Sequence, residues 1–207
     1  MRVSVRKVAG LVAALALSAV VVVGCDGDNN PGNSGGSISP NTSSCTSPGK
    51  TVTIGGVTWM AENLNCATNN SWCYDDDNSN CTKYGRLYTW EAANTACPSG
   101  WRLPDTADWR RLVAVAGGSS IAGRKLKSTS GWNSNGNGTD EFGFSALPGG
   151  AGNTGGSFRS AGSSGYWWSG TESGSVNAWN RGMGYDRDNV NEGTSVKGNG
   201  FSVRCVR

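Results

Sequence analysis

Any chemistry in this chain has to be done without histidine. None occurs in 207 residues, which removes the usual neutral-pH general base and the usual nitrogen ligand for zinc. Carboxylates, indoles and thiols remain. Asp140, Glu141, Glu172 and Asp186 are the carboxylates a glycan-active enzyme would set in opposed pairs, although solvated surface charge explains them as simply. Asp75-Asp76-Asp77-Asn78-Ser79-Asn80 has the oxygen-rich side chains that suit calcium, but it lacks the glycine and distal glutamate of an EF-hand. Asp186, Asp188, Asn189, Asn191 and Glu192 form a second such cluster. Calcium therefore has donors but no complete motif, so no cofactor or firm metal site is expected, and solvated loops are the plain reading of both clusters. Nine tryptophans lie between Trp59 and Trp179. An indole face can stack on a sugar ring, yet most indoles serve as core. In Tyr166-Trp167-Trp168, strand alternation puts Trp167 and Trp168 on opposite faces, so one of them meets another layer, a loop or a ligand. Trp132 and Trp179 stand in polar, glycine-rich surroundings and are the other candidates for exposure. With Trp168, Arg181, Asp186 and Asp188 they make up the candidate ligand-binding set. Gly150-Ala151-Gly152-Asn153-Thr154-Gly155 formally matches a dinucleotide fingerprint, but no helix or βαβ unit follows it and it is set aside.

The thiols divide between two uses. Arg2, Arg6 and Lys7 precede Val8–Val23, an uncharged run of sixteen residues, shorter than a bilayer-spanning helix requires. Together they read as a secretory signal over residues 1–24. Val22-Val23-Gly24-Cys25 resembles the motif at which bacterial lipoproteins are acylated on cysteine and cut just before it, so Cys25 is the expected lipidation site. The expected localisation follows: exported and lipid-anchored to the cell envelope, at the outer membrane or cell surface, with the membrane itself as a partner. Of the 18 Lys+Arg, three leave with the signal, and the 15 that remain balance 15 Asp+Glu, so the charge gives no support for nucleic-acid binding. Cys45, Cys66, Cys73, Cys81, Cys97 and Cys205 are left, an even number that in an exported chain implies disulfides.

Positioning these groups falls to elements the pattern makes visible. Residues 25–44 are nearly all Gly, Asn, Ser, Pro and Asp and read as a flexible tether. The globular domain is expected over residues 45–207. Thr51–Ile54, Gly55-Gly56 and Val57–Met60 spell a β-hairpin. A helix is expected over Thr89–Cys97, halted by Pro98. Another starts at Asp105, carries Trp109, Leu112, Val113 and Ala116 on one stripe, and ends at Gly117-Gly118. A helical turn near Ile121–Lys127 follows. Strand-like runs at Phe142–Leu147, Gly165–Thr171, Val176–Met183 and Phe201–Val206 alternate with glycine-rich turns, which indicates an α+β fold.

Six segments in order, IGGVTWMAENLN (Ile54–Asn65), YGRLYTW (Tyr84–Trp90), CPSGWRLP (Cys97–Pro104), TDEFGFSALPGG (Thr139–Gly150), YWWSGT (Tyr166–Thr171) and SVRCV (Ser202–Val206), resemble the Fibrobacter succinogenes major paralogous domain family from about Thr51 to Arg207. The resemblance implies a C-type-lectin-like fold: two helices and a twisted, mostly antiparallel sheet with long Gly-rich loops, stapled by disulfides and related also to the formylglycine-generating enzymes. By analogy with C-type lectins, Cys97 joins Cys205. Cys73 and Cys81 then close a local loop and leave Cys45 for Cys66, one of many pairings six cysteines allow. The calcium-dependent sugar site of C-type lectins is not carried over, because the Glu-Pro-Asn loop is absent and Trp179-Asn180 is followed by Arg181. Nor are the paired late cysteines of the formylglycine-generating enzymes, since only Cys205 lies in the C-terminal half. The expected function is non-catalytic recognition or adhesion at the cell envelope, of polysaccharide, through the loops between Trp132 and Glu192. The alternatives are a structural envelope protein making contacts with surface proteins and a carboxylate-based enzyme acting on glycans.

Overall fold

The computed structural model describes residues 45–207; the expected signal peptide, Cys25 and the tether lie outside the described residues. Strands β1 (Thr51–Ile54) and β2 (Val57–Met60) form the expected hairpin, with Gly55 and Gly56 at φ +60° and +79° in its two-residue turn. β3 (Ser71–Trp72) pairs with β4 (Leu87–Tyr88) around α1 (Asn78–Tyr84). α2 (Trp90–Ala96) is capped by the Thr89 hydroxyl, which accepts from the Ala92 amide. α3 (Thr106–Val115) starts in a reciprocal capping box between Asp105 and Asp108, and α4 (Ala122–Leu126) follows. The rest is β5 (Ala151–Asn153), β6 (Phe158–Arg159), β7 (Ser164–Glu172), β8 (Asn177–Gly184), β9 (Asn191–Val196) and β10 (Asn199–Gly200). Four small antiparallel sheets result: β1-β2, β3-β4, β10-β5-β6 and β7-β8-β9.

Three expectations are corrected. Four α-helices stand among the described residues: the two expected, the helical turn as α4, and the unexpected α1, because the acidic run read as a loop is a 3-10 turn (Tyr74–Asp76) leading into it, with the Asp77 carboxylate capping the Ser79 amide. Phe142–Leu147 is no strand. Its hydrogen bonds go to α4 and the residue after it (Ala146 N–H to Leu126, Ser128 N–H to Ala146), while Phe144 plugs the core. Phe201–Val206 is extended but forms no continuous ladder. Phe201 bridges Tyr88, Ser202 bridges Trp167, and Val206 bridges both Trp59 and Arg102.

That closing segment runs between two apolar clusters. One gathers Trp59, Trp109, Leu112, Phe144, Trp167 and Val206; the other gathers Met60, Tyr88, Ala93, Trp168, Phe201 and Cys205. Each of the pairs Trp59/Met60, Trp167/Trp168 and Cys205/Val206 sends consecutive side chains into different clusters, as alternation along an extended chain requires. The Trp167/Trp168 question is thereby answered: both indoles are fully buried, each in its own layer. Trp59 meets Trp109 at 4.9 Å between ring centres, and Trp168 meets Phe201 at 4.4 Å.

Between the clusters lies a polar knot. Arg204 is fully buried. Its Nε donates to Asn63 Oδ1 at 2.9 Å, one Nη donates to the carbonyl of Phe144, and the other donates to the carbonyl of Ser145 at 2.8 Å. Trp167 Nε1 donates to the same Asn63 Oδ1 at 2.9 Å, while Asn63 Nδ2 donates to the Tyr84 carbonyl at 2.8 Å. Burial pushes the Arg204 guanidinium down to about 9, so it remains a cation at neutral pH, with Asp140 and Glu62 nearby to favour the charge.

Three cysteine pairs stand at disulfide distance: Cys45 with Cys66, Cys73 with Cys81 and Cys97 with Cys205, with Cα separations of 5.7, 4.9 and 5.9 Å. The last ties the end of α2 to the closing segment across 108 residues of sequence, a loop for which chain entropy alone gives on the order of 4–5 kcal/mol.

Replacing Arg204 with Met would leave the Phe144 and Ser145 carbonyls without their buried donor. Urea unfolding should show a loss of roughly 3–5 kcal/mol, with Arg204→Lys recovering little because an ammonium cannot span the fork. A loss within the noise of the melt would mean that the knot is not a principal support.

Candidate functional site

The sheet β7-β8-β9 presents one face whose character changes along its length. Antiparallel register sets Trp168 beside Asn180 and Asn180 beside Gly193, and, one pair further on, Tyr166 beside Gly182 and Gly182 beside Asn191. At one end, Trp168 and Ala178 are sealed beneath the second cluster. Towards the other end the β8 and β9 positions become Gly182, Gly184 and Gly193, and the face opens into a groove of about 280 Å³. The half-buried Tyr166 ring stands against Gly182, where a Cβ would come within 3.4 Å of it, and stacks on Phe201 at 5.2 Å with 23° between planes. Asn180 and Asn191 supply amides, and Asp186 and Arg187 form the charged rim. A Cβ at 182 would lie in van der Waals contact with that ring, so a larger side chain there would cover the floor that glycine leaves open.

The rim belongs to the turn between β8 and β9, and the molecule grips that turn through main chain. Lys127 is 2 % exposed, and its Nζ donates to the carbonyls of Gly184 at 3.0 Å and Arg187 at 2.9 Å. Burial lowers its pKa, opposed by Asp188 and Asp186. Gly123 and Gly136 let the turn come closer than any side chain would permit: a Cβ on Gly123 would sit 2.3 Å from the Asn189 oxygen, and one on Gly136 would sit 2.2 Å from the Tyr185 oxygen.

On the reverse face Arg181 and Glu192 are cross-strand partners. The Glu192 carboxylate accepts from Arg181 at 2.5 Å and from Arg110 of α3 at 2.8 Å. Hydrogen bonding from Arg110 holds the Glu192 carboxyl below its ordinary range, against partial burial.

Of the six residues singled out for ligand contact, Asp186 alone lines the groove. Trp132 is a correction: it is 5 % exposed, packs in the first cluster and donates its indole N–H to the Ala146 carbonyl at 3.0 Å, because the buried Lys127 cation and the core claim its faces. Trp168 is another, with no exposed surface and its N–H on the Tyr88 carbonyl at 2.8 Å. Trp179 is half-buried and shares the reverse face with Arg181. Asp188 is exposed in the turn, its carbonyl accepting from the Arg124 amide. Tyr166, Asn180 and Asn191 were missed. The signal was there: Tyr166 lies two residues from Trp168, hence on its face, and Gly182-x-Gly184 repeats with the same period of two.

The other carboxylates are engaged where they stand. Asp140 accepts from the Ser145 amide, Glu141 pairs with Lys125 at 3.1 Å, Glu172 with Lys197 at 2.9 Å and Asp186 with Arg187 at 3.6 Å. Among the described residues no three Cys, Asp or Glu side chains gather as a metal site would require. The Gly150–Gly155 stretch is β5 with the start of the turn that leads to β6, and no helix follows it.

The sequence that builds these elements matches a known family. The model of the Fibrobacter succinogenes major domain covers residues 52–207. The chain belongs to this family. No curated protein matches it. In this Fibrobacter succinogenes major domain the family's span thus begins within β1 and takes in both clusters, the groove and the closing segment.

Two outcomes are expected. Gly136→Ala must push the Tyr185 carbonyl aside, costing about 1–3 kcal/mol and exposing the 185–190 turn to limited proteolysis; an unchanged digestion pattern would contradict this packing. The unfolded state binds the Glu192 proton more tightly than the folded state, so stability present above the ordinary carboxylate range is lost as pH falls through the lowered folded value. Urea midpoints from about pH 5 to about pH 3 should fall less steeply in Glu192→Gln than in the parent.

Proposed function

We propose that this protein is an exported envelope lipoprotein, anchored through Cys25, whose domain adopts a C-type-lectin-like fold and recognises polysaccharide without catalysis in the groove of Tyr166, Asn180 and Asn191. The observation that carries the reading is the pairing of one half-buried aromatic ring with convergent amides and a charged rim over a glycine floor. Sugars bind such surfaces because an aromatic face accepts the apolar side of a pyranose while amides and carboxylates fix its hydroxyls. The fold assignment is supported by the Leu103-Pro104 entry into α3, which carries Trp109, and by Cys97 meeting Cys205 on the closing segment. The lipid anchor is supported by the basic start, the short apolar run and the placement of Cys25. No helix among the described residues is long and apolar enough to cross a membrane.

A glycan array with the full chain tests the groove. Tyr166→Ala should weaken binding to its preferred glycan roughly five- to tenfold, as loss of a stacking platform worth roughly 1–1.5 kcal/mol implies, and Gly182→Val should abolish it by filling the floor. Binding that survives both changes, or an array empty for every glycan, would remove the assignment. For the anchor, labelled palmitate should enter the wild-type protein and fail to enter Cys25→Ser, which should also leave the membrane fraction.

A further inference from the structure

A second cavity of about 280 Å³ opens on the reverse face, between α3 and β9. Val113, Ala114 and Val190 wall it with aliphatic carbon, while Arg110, Arg181 and Glu192 supply its polar groups. The charge there does not balance: two guanidinium groups share one carboxylate. Arg181 is 1 % exposed, and among the described residues its five N–H donors meet the Asn180 carbonyl at 3.1 Å and Glu192 Oε2 at 2.5 Å. Arg110 directs its Nε and one Nη at Glu192, at 3.4 and 2.8 Å. A mostly buried cation whose remaining donors open onto a cavity is favoured by an anion that completes its shell, and the aliphatic walls offer no acceptor. Burial and the like charge of Arg110 both press Arg181 below its ordinary pKa, the behaviour of an under-solvated cation.

We propose that this cavity is a binding site for an organic carboxylate carried on a short aliphatic body, the carboxylate bridging Arg110 and Arg181 and the body lying against Val113, Ala114 and Val190. The volume is below the usual range for drug-sized ligands, which suits a branched short-chain acid or the last residue of a peptide. Both present the same chemistry. The site faces away from the Tyr166 groove and owes nothing to the sugar reading.

The test is a titration of the full chain, in detergent, followed by NMR at the amides of Val113, Ser119 and Val190. The probes are isovalerate, isovaleramide and N-acetyl-Gly-Gly-Val. Isovalerate should give saturable shifts at these amides and isovaleramide none. Arg110→Gln, an exposed position, should weaken isovalerate binding roughly tenfold. Val113→Phe should fill the cavity and abolish binding while circular dichroism stays that of the parent. If the peptide binds more tightly than isovalerate, the site takes a chain terminus; equal affinities mark it as a site for the free acid. Equal shifts from acid and amide, no saturation, or undiminished binding by Val113→Phe would overturn the assignment. Glycan binding should be unaltered in both variants, so failure here and failure of the groove reading are separable.

Discussion

The fold depends on one buried guanidinium. Arg204 lies three residues before Arg207, yet it reaches Asn63 near the start of the domain and the carbonyls of Phe144 and Ser145 in the middle. Apolar packing is indifferent to direction and tolerates sliding, whereas a fork of donors aimed at named acceptors does not. The guanidinium therefore sets the register in which the closing segment lies between Trp59, Tyr88 and Trp167. Without that register the alternation of Cys205 and Val206 would reverse, sending each side chain to the wrong cluster.

Both candidate surfaces descend from that arrangement. With Trp167 and Trp168 fixed in separate layers, β7 becomes the wall shared by two cores, to which β8 adds only Ala178 and Met183. The groove is what remains where glycine replaces side chains on one face, and the Arg110–Glu192–Arg181 cluster occupies the other. Glycine does two different jobs here. At Gly182 it leaves space next to an aromatic ring; at Gly123 and Gly136 it lets two stretches of main chain approach where any Cβ would collide.

Local signals were legible in the sequence, and long-range ones were not. Gly55-Gly56 between two β-branched runs, Asp105 as a cap and Pro98 as a stop each act over a few residues, and each stands where the pattern put it. The α1 helix was hidden because its residues, Asn, Ser and Thr among them, are weak helix formers; a capping aspartate and the Cys73–Cys81 closure hold it. Trp132 looked exposed because its neighbours in sequence are polar and glycine-rich, but its neighbours in space are Lys127 and the Ala146 carbonyl. Composition around a residue reports on the loop, and burial depends on what the loop folds against. Tyr166 was passed over for the opposite reason, since larger aromatics beside it drew the attention that strand alternation should have given to the smaller ring.

The tie between Cys97 and Cys205 also bears on the order of events at birth. A polypeptide emerges amino end first, so Cys97 is available to an oxidant long before its partner, 108 positions later, has appeared. In that interval Cys45 and Cys66, then Cys73 and Cys81, have already emerged, each next to its own partner in sequence order. Oxidation in order of emergence therefore closes those two pairs first and leaves the Cys97 thiol waiting for Cys205.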